Sequence, residues 1–132
     1  MMKKRVIFSM IVLLPFLILS FSCKKKSEKG DIQVSCKPLA GETVDVSSLT
    51  VEIHSRAQFD AKITSAQAAG SATLSTASFS NLDPGRYYVM AWKDIDNSST
   101  VTENDYFGFY PFPINLNKGN SKNIQIELYI VD

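Results

Sequence analysis

The stretch Asn123-Ile-Gln-Ile-Glu-Leu-Tyr-Ile130 puts Ile124, Ile126, Leu128 and Ile130 on one face and Asn123, Gln125, Glu127 and Tyr129 on the other. Strict period-two alternation of this length lines one side of an extended chain with apolar groups, whereas a helix would scatter the same residues round its axis. The period recurs in Ile32, Val34 and Cys36, in Leu49, Val51 and Ile53, and more weakly in Thr73, Ser75, Ala77 and Phe79. Short strands punctuated by turn residues at such spacing are the pattern of an all-β sandwich. Segment 56–69 reads two ways. Ser55 and Gln58 fit a capping box, and Phe59, Ile63 and Ala66 recur at helical spacing before Gly70. Yet Phe59, Ala61 and Ile63 also alternate as a strand would, and a sandwich needs a strand here, so a loop followed by a strand is expected.

The N-terminus carries Lys3, Lys4 and Arg5 ahead of an apolar run from Val6 to Phe21, interrupted by Ser9, Pro15 and Ser20. That run falls short of the ~20 residues a comfortable membrane span requires, and a basic start followed by a short apolar core is the pattern of a signal peptide. Its end, Leu19-Ser-Phe-Ser-Cys23, resembles a bacterial lipobox, with the aliphatic residue four positions before the cysteine rather than three. The resemblance implies a signal peptide over 1–22, diacylglycerol on Cys23, a lysine-rich tether over 23–30 and one domain over 31–132. It also implies lipid anchoring at the bacterial cell envelope, with the outer membrane as the expected membrane. Two or three acyl chains make a stable anchor where one is marginal. An uncleaved anchor, or an ordinary secretory signal in which Cys23 is incidental, are the alternatives.

The formal charge of +1 misleads about the domain, because the basic excess lies in the signal and in Lys24, Lys25, Lys26 and Lys29. From Asp31 to Asp132 there are 7 Lys and Arg against 12 Asp and Glu, a mildly acidic balance that argues against nucleic acid, which needs a basic face. With Cys23 assigned to lipid, Cys36 has no partner for a disulfide. It shares a face with Ile32 and Val34 and reads as a small buried apolar residue.

Phe79-Ser-Asn-Leu82-Asp-Pro84-Gly85-Arg-Tyr87-Tyr-Val89 resembles the F-x-x-L-x-P-G-x-Y-x-V signature of prealbumin-like β-sandwiches, a group that includes carboxypeptidase regulatory-like domains. Pro84 presets φ and Gly85 permits positive φ in a tight turn, and Tyr87 and Val89 then point into the core. The resemblance implies a single Greek-key β-sandwich, prealbumin-like or Ig-like, of about seven strands. It implies little about activity, since such domains are mostly accessory modules.

Residues 94–105, DIDNSSTVTEND, match the spacing of a twelve-residue calcium loop: Asp94, Asp96, Ser98, the carbonyl of Thr100, Thr102 and Asp105 fall at ligand positions, and Val101 where an apolar residue belongs. Calcium takes six to eight hard oxygen ligands, and alternate residues of a tight loop turn theirs inward. Against this, Ser99 stands where the sharp turn calls for glycine. The alternative is a solvated hairpin whose Asp, Asn and Ser residues make Asx-type turns.

Eight of the eleven aromatic residues after Cys23 lie between 87 and 112. If Tyr87, Val89 and Ala91 point inward, Tyr88, Met90 and Trp92 point outward. With Phe107 and Phe109, Tyr88 and Trp92 form a candidate surface for a protein or glycan partner. Alternatively, residues 106–114 fold back and cover the outer face as a second small core. The single histidine, His54, sits beside Glu52 and Arg56 on the polar face of its strand and reads as solvated. No nucleophile, base and acid are spaced for covalent catalysis, no His/Cys cluster suits zinc, and no glycine-rich phosphate loop is present. The expectation is a non-catalytic, lipid-anchored binding module, with a purely structural envelope protein or a carbohydrate-binding module as alternatives.

Overall fold

The computed structural model describes residues 28–132; the expected signal peptide over 1–22, Cys23 and most of the expected tether lie outside the described residues. Eight strands make up the fold: β1 (Gly30–Pro38), β2 (Ser48–His54), β3 (Lys62–Gly70), β4 (Ser75–Leu82), β5 (Gly85–Lys93), β6 (Tyr106–Phe109), β7 (Ile114–Leu116) and β8 (Ser121–Ile130). The described residues are all-β, and the ambiguous segment is a loop followed by β3. The helical reading fails because Ile63 and its neighbours line the flank of β2 from Ser48↔Ala69 to His54↔Lys62.

Hydrogen-bonded neighbours follow the order β2-β3-β4-β1-β8-β6-β5, and β5 pairs back onto β2. Seven strands therefore close into one ring, while β7 continues the line of β6 along β5. Two separate sheets were expected; the sheet is instead continuous and closed. Its closure is uneven. The β1–β8 ladder runs through eight residue pairs, from Asp31↔Ser121 to Pro38↔Leu128. β3 meets β4 only at Ala69↔Thr76 and Gly70↔Ser75, and β6 meets β8 only at Tyr106↔Ile130 and Phe107↔Tyr129. The ring thus consists of two walls, β4-β1-β8 and β3-β2-β5-β6/β7, joined by two short seams. At the second seam Gly108 is required, because a Cβ there would collide with the Glu127 carbonyl oxygen.

The alternation seen in the sequence sets what faces inward. Ile32, Val34 and Cys36 of β1 and Ile124, Ile126 and Leu128 of β8 meet Leu49, Val51 and Ile53 of β2 and Val89 and Ala91 of β5 in one cluster of buried side chains. Only Asp83 and Pro84 separate β4 from β5, which stand on opposite walls. Such a link spans at most ~11 Å, close to the ~10 Å at which packed sheets face each other, so the ring is flattened. Tyr87 points inward and its hydroxyl donates to the Asp83 carbonyl, bracing this corner. The positive φ of the turn falls on Asn81 (59°) rather than on Gly85 as the signature led one to expect. Asn tolerates the left-handed region better than most residues with a Cβ.

β1, β3, β5 and β8 start at one end of the ring, the near pole, where the chain arrives at Gly30; β2 and β4 finish there. Loops 39–47, 71–74 and 94–105 and the C-terminus occupy the far pole.

Candidate functional site: a far-pole acidic loop and an aromatic outer face

Loop 94–105 joins β5 to β6 at the far pole. Its carboxylates converge because the antiparallel partners Lys93 and Tyr106 hold its two ends side by side. Carboxylate oxygens of Asp94, Asp96 and Asp105 lie within 4.8 Å of one another. Three like charges this close repel, and the loop offsets this by turning donors onto them. Asp105, fully buried, accepts the Ile95 N–H at 2.8 Å and, on its other oxygen, the Thr102 N–H at 2.8 Å and hydroxyl at 3.0 Å. Asp94 accepts the backbone N–H groups of Ser98 and Ser99, and Asp96 accepts the Ser98 N–H and the Thr102 hydroxyl. Asn97, Ser99 and Asn104 take positive φ to make this possible, Ser99 at 67°. The position lacking the expected glycine therefore still adopts the left-handed conformation.

These bonds favour the ionised carboxylates. The Ser98 and Thr102 groups bonded to Asp96 pull its carboxyl down to about 2, and the Ile95 and Thr102 N–H groups lower that of Asp105. Of the six residues at ligand positions, Asp94, Asp96, Thr102 and Asp105 come together. Ser98 instead donates its hydroxyl to the Thr100 carbonyl at 2.9 Å, so those two serve each other. Val101 is exposed rather than tucked under the loop. The residue at the centre is Thr102, which bridges Asp96 and Asp105; its ninth place in the loop spacing was the signal for it. An all-oxygen donor set with three carboxylates suits a hard divalent cation such as calcium, and every carboxylate oxygen except Asp105 Oδ2, which already accepts two bonds, keeps lone-pair capacity beyond the bond it accepts.

The second candidate lies on the outer face of the β3-β2-β5-β6 wall. Tyr88, Trp92 and Phe107 are half-buried there, and Phe109 is 46% exposed. Ring contacts run in a line from Tyr129 to Phe107 (6.0 Å), Phe109 (6.1 Å), Phe59 (6.1 Å) and His54 (5.5 Å). The cover comes not from residues 106–114, which pair edge to edge with β5, but from Phe59 in the loop after β2. Phe59 reaches back over the sheet from a backbone φ of 53°, unusual for a bulky residue.

His54 is consequently not solvated. It is 3% exposed, with Nε2 2.8 Å from Glu52 Oε2. The other Glu52 oxygen accepts the Trp92 indole N–H at 3.3 Å and lies 3.6 Å from the Lys62 ammonium. His54 Nδ1 is buried with no hydrogen-bond partner among the described residues. Cys36, in the core, has its thiol pushed up to about 11 by burial, which makes it unreactive.

Compared with known proteins, the chain matches no family model, no curated protein and no solved structure.

Proposed function

We propose that this chain is a lipid-anchored, non-catalytic binding module of the bacterial cell envelope whose far-pole loop is ordered by calcium. The observation that carries the calcium reading is the convergence of Asp94, Asp96 and Asp105 within 4.8 Å on a loop that buries one of them. A binding role accords with the aromatic line on the outer face, and a non-catalytic one with the engagement of the single histidine in a buried pair with Glu52. The architecture accords with a prealbumin-like Greek key: β2, β3 and β4 are successive antiparallel neighbours, and β1 returns beside β4. The anchor reading is carried by the sequence before residue 28, and intact mass of the protein isolated from membranes, with and without Cys23→Ala, tests it.

The calcium reading is tested by thermal unfolding with excess EDTA and with millimolar calcium. A site of ~10⁻⁴ M in ~1 mM calcium stabilises by about 1.4 kcal/mol, or roughly 6–11 °C in a domain of this size. Asp94→Ala and Asp96→Ala should each abolish the shift, and an unshifted wild type would leave the loop a hairpin turn. Acid gives an independent check. The folded-state carboxyls of Asp96 and Asp105 ionise below the ~3.9 of an unfolded aspartate, so the stability they contribute is complete above that value. It is lost as pH falls from ~4 through the folded Asp96 value of about 2. Amide exchange of Ser98, Ser99 and Thr102 should rise in that window before the core strands open; simultaneous exchange would contradict a locally held loop.

One groove favours a second reading, carbohydrate binding. Leu39, Phe109, Pro111, Gln125, Glu127 and Tyr129 line a cleft of about 370 Å³, joining rings that can stack on a sugar to groups that can bind hydroxyls. A glycan screen with Phe109→Ala as control decides it: retained binding in that variant would exclude this groove.

A further inference from the structure

The charges of the domain are sorted along its long axis. In the near half stand six basic residues, Lys29, Arg56, Lys62, Arg86, Lys118 and Lys122, against five acids. In the far half only Lys37 and Lys93 oppose eight acids, Asp94, Asp96 and Asp105 among them. One half is therefore close to +1 and the other to −6. The chain before residue 28 reaches the domain at the near pole, and its last stretch adds Lys24, Lys25 and Lys26.

We infer that the near pole is a docking surface for anionic phospholipid headgroups, which holds the domain upright with its acidic loop away from the membrane. The inference rests on the envelope reading, in which the lipid at Cys23 brings the domain to a membrane; the headgroup contact itself needs no lipid at Cys23. Two features select the occupant. On the envelope reading the lipid-bearing Cys23 and the lysine cluster both lie on the chain that joins this pole, so a membrane is brought to it before any other partner. The sign of the charge fits an anionic leaflet, and two of the near-pole pairs are exposed on both sides: Lys118 and Glu28 meet at 2.7 Å with side chains 62% and 69% exposed, and Arg56 and Asp60 at 3.4 Å with 61% and 48%. Exposed pairs of this kind contribute little, leaving Lys118 and Arg56 available to phosphate.

The dimensions give the arrangement its directionality. β1 spans nine residues, roughly 30 Å at ~3.3 Å each, which is several Debye lengths at physiological salt. An upright domain therefore keeps its acidic pole outside the reach of the leaflet's field, while a domain lying flat brings both poles within it. Juxtamembrane cations are attracted to such a surface, and acids are repelled.

The test uses the chain from residue 23 onward with Cys23→Ser, which retains the whole described domain and carries no lipid. Its sedimentation is measured with phosphatidylcholine vesicles and with vesicles containing phosphatidylglycerol, at low and high salt. Binding is expected only with phosphatidylglycerol, falling about fivefold or more as salt rises. Lys118→Glu with Lys122→Glu should lower it by about tenfold, whereas Lys37→Glu with Lys93→Glu should change it less than twofold, all with unaltered circular dichroism and Tm. Equal binding to both vesicle types would overturn the inference. So would loss confined to a variant with Lys24, Lys25 and Lys26 replaced by glutamine, since the tether alone would then suffice. An equal response to near-pole and far-pole variants would reduce the effect to net charge, and equally tight binding of soluble heparin would make the surface a general polyanion site; either removes the assignment. Mass analysis of Cys23 in the native protein separates all of these from failure of the anchor itself.

Discussion

Gln33, Ser78, Ser80, Asn123 and Gln125 stand exposed on the outer face of the β4-β1-β8 wall, whereas on the outer face of the other wall Glu52 is 9%, His54 3% and Met90 7% exposed. Both faces sit on strands with equally apolar interiors. The difference is that one loop and three strands bring aromatic rings over the second face, so that outward-pointing polar side chains are shut away from water there. A strand's pleat decides which side a residue is on, but not what else comes to lie on that side. Polar groups so covered must find partners or cost stability, and Glu52 gathers three.

The sharpest break of this contrast is Glu52→Ala. It strips the Nε2 partner from a buried imidazole and the acceptor from Trp92, which should cost about 2 kcal/mol, roughly 8–16 °C in Tm for a domain of this size. Glu52→Gln keeps an acceptor and should lose well under half of that. Loss of less than 0.5 kcal/mol on Glu52→Ala, read from urea unfolding, would mean that the face is wetter than its burial indicates. Next comes Phe59→Ala, expected to cost about 1 kcal/mol through its ring contacts with His54 and Phe109. Phe59→Gly removes the same ring but relieves the positive φ, so it should be the milder of the two, against the usual order of Ala and Gly. The smallest effects belong to the polar wall: Gln33→Ala and Ser78→Ala should each stay within about 0.5 kcal/mol, and a larger loss from either would erase the distinction between the faces.

The strands were legible where one face is buried and the other wet, as in β8 and β1, because the period is then written in alternating residue types. His54 was misread for the complementary reason: its cover arrives from Phe59, beyond the end of the strand, and no periodicity carries that. β6 and β7 read as an aromatic patch because residues 110–113 break one edge-pairing segment into two short ones. The three aspartates of the far loop were legible from spacing alone. The bonding of Ser98 to Thr100 was not, since a hydroxyl's choice of acceptor depends on torsions that spacing leaves open. The turn before β5 was placed correctly, but its left-handed residue is Asn81, two positions ahead of the Asp83-Pro84 link.

The parallel pairing of β1 with β8 has a mechanical consequence. Gly30 lies at one end of this ladder and Ile130 at the other, with eight residue pairs between them in register. Tension applied between those two points pulls the strands past each other along their length, so the ladder's hydrogen bonds share the load at once instead of opening one after another. A domain held at the near pole and tugged from its C-terminus thus meets the force with its longest ladder in shear; the thin β3–β4 seam lies off the line of pull, while the β6–β8 seam, which includes Ile130, lies at the loaded end.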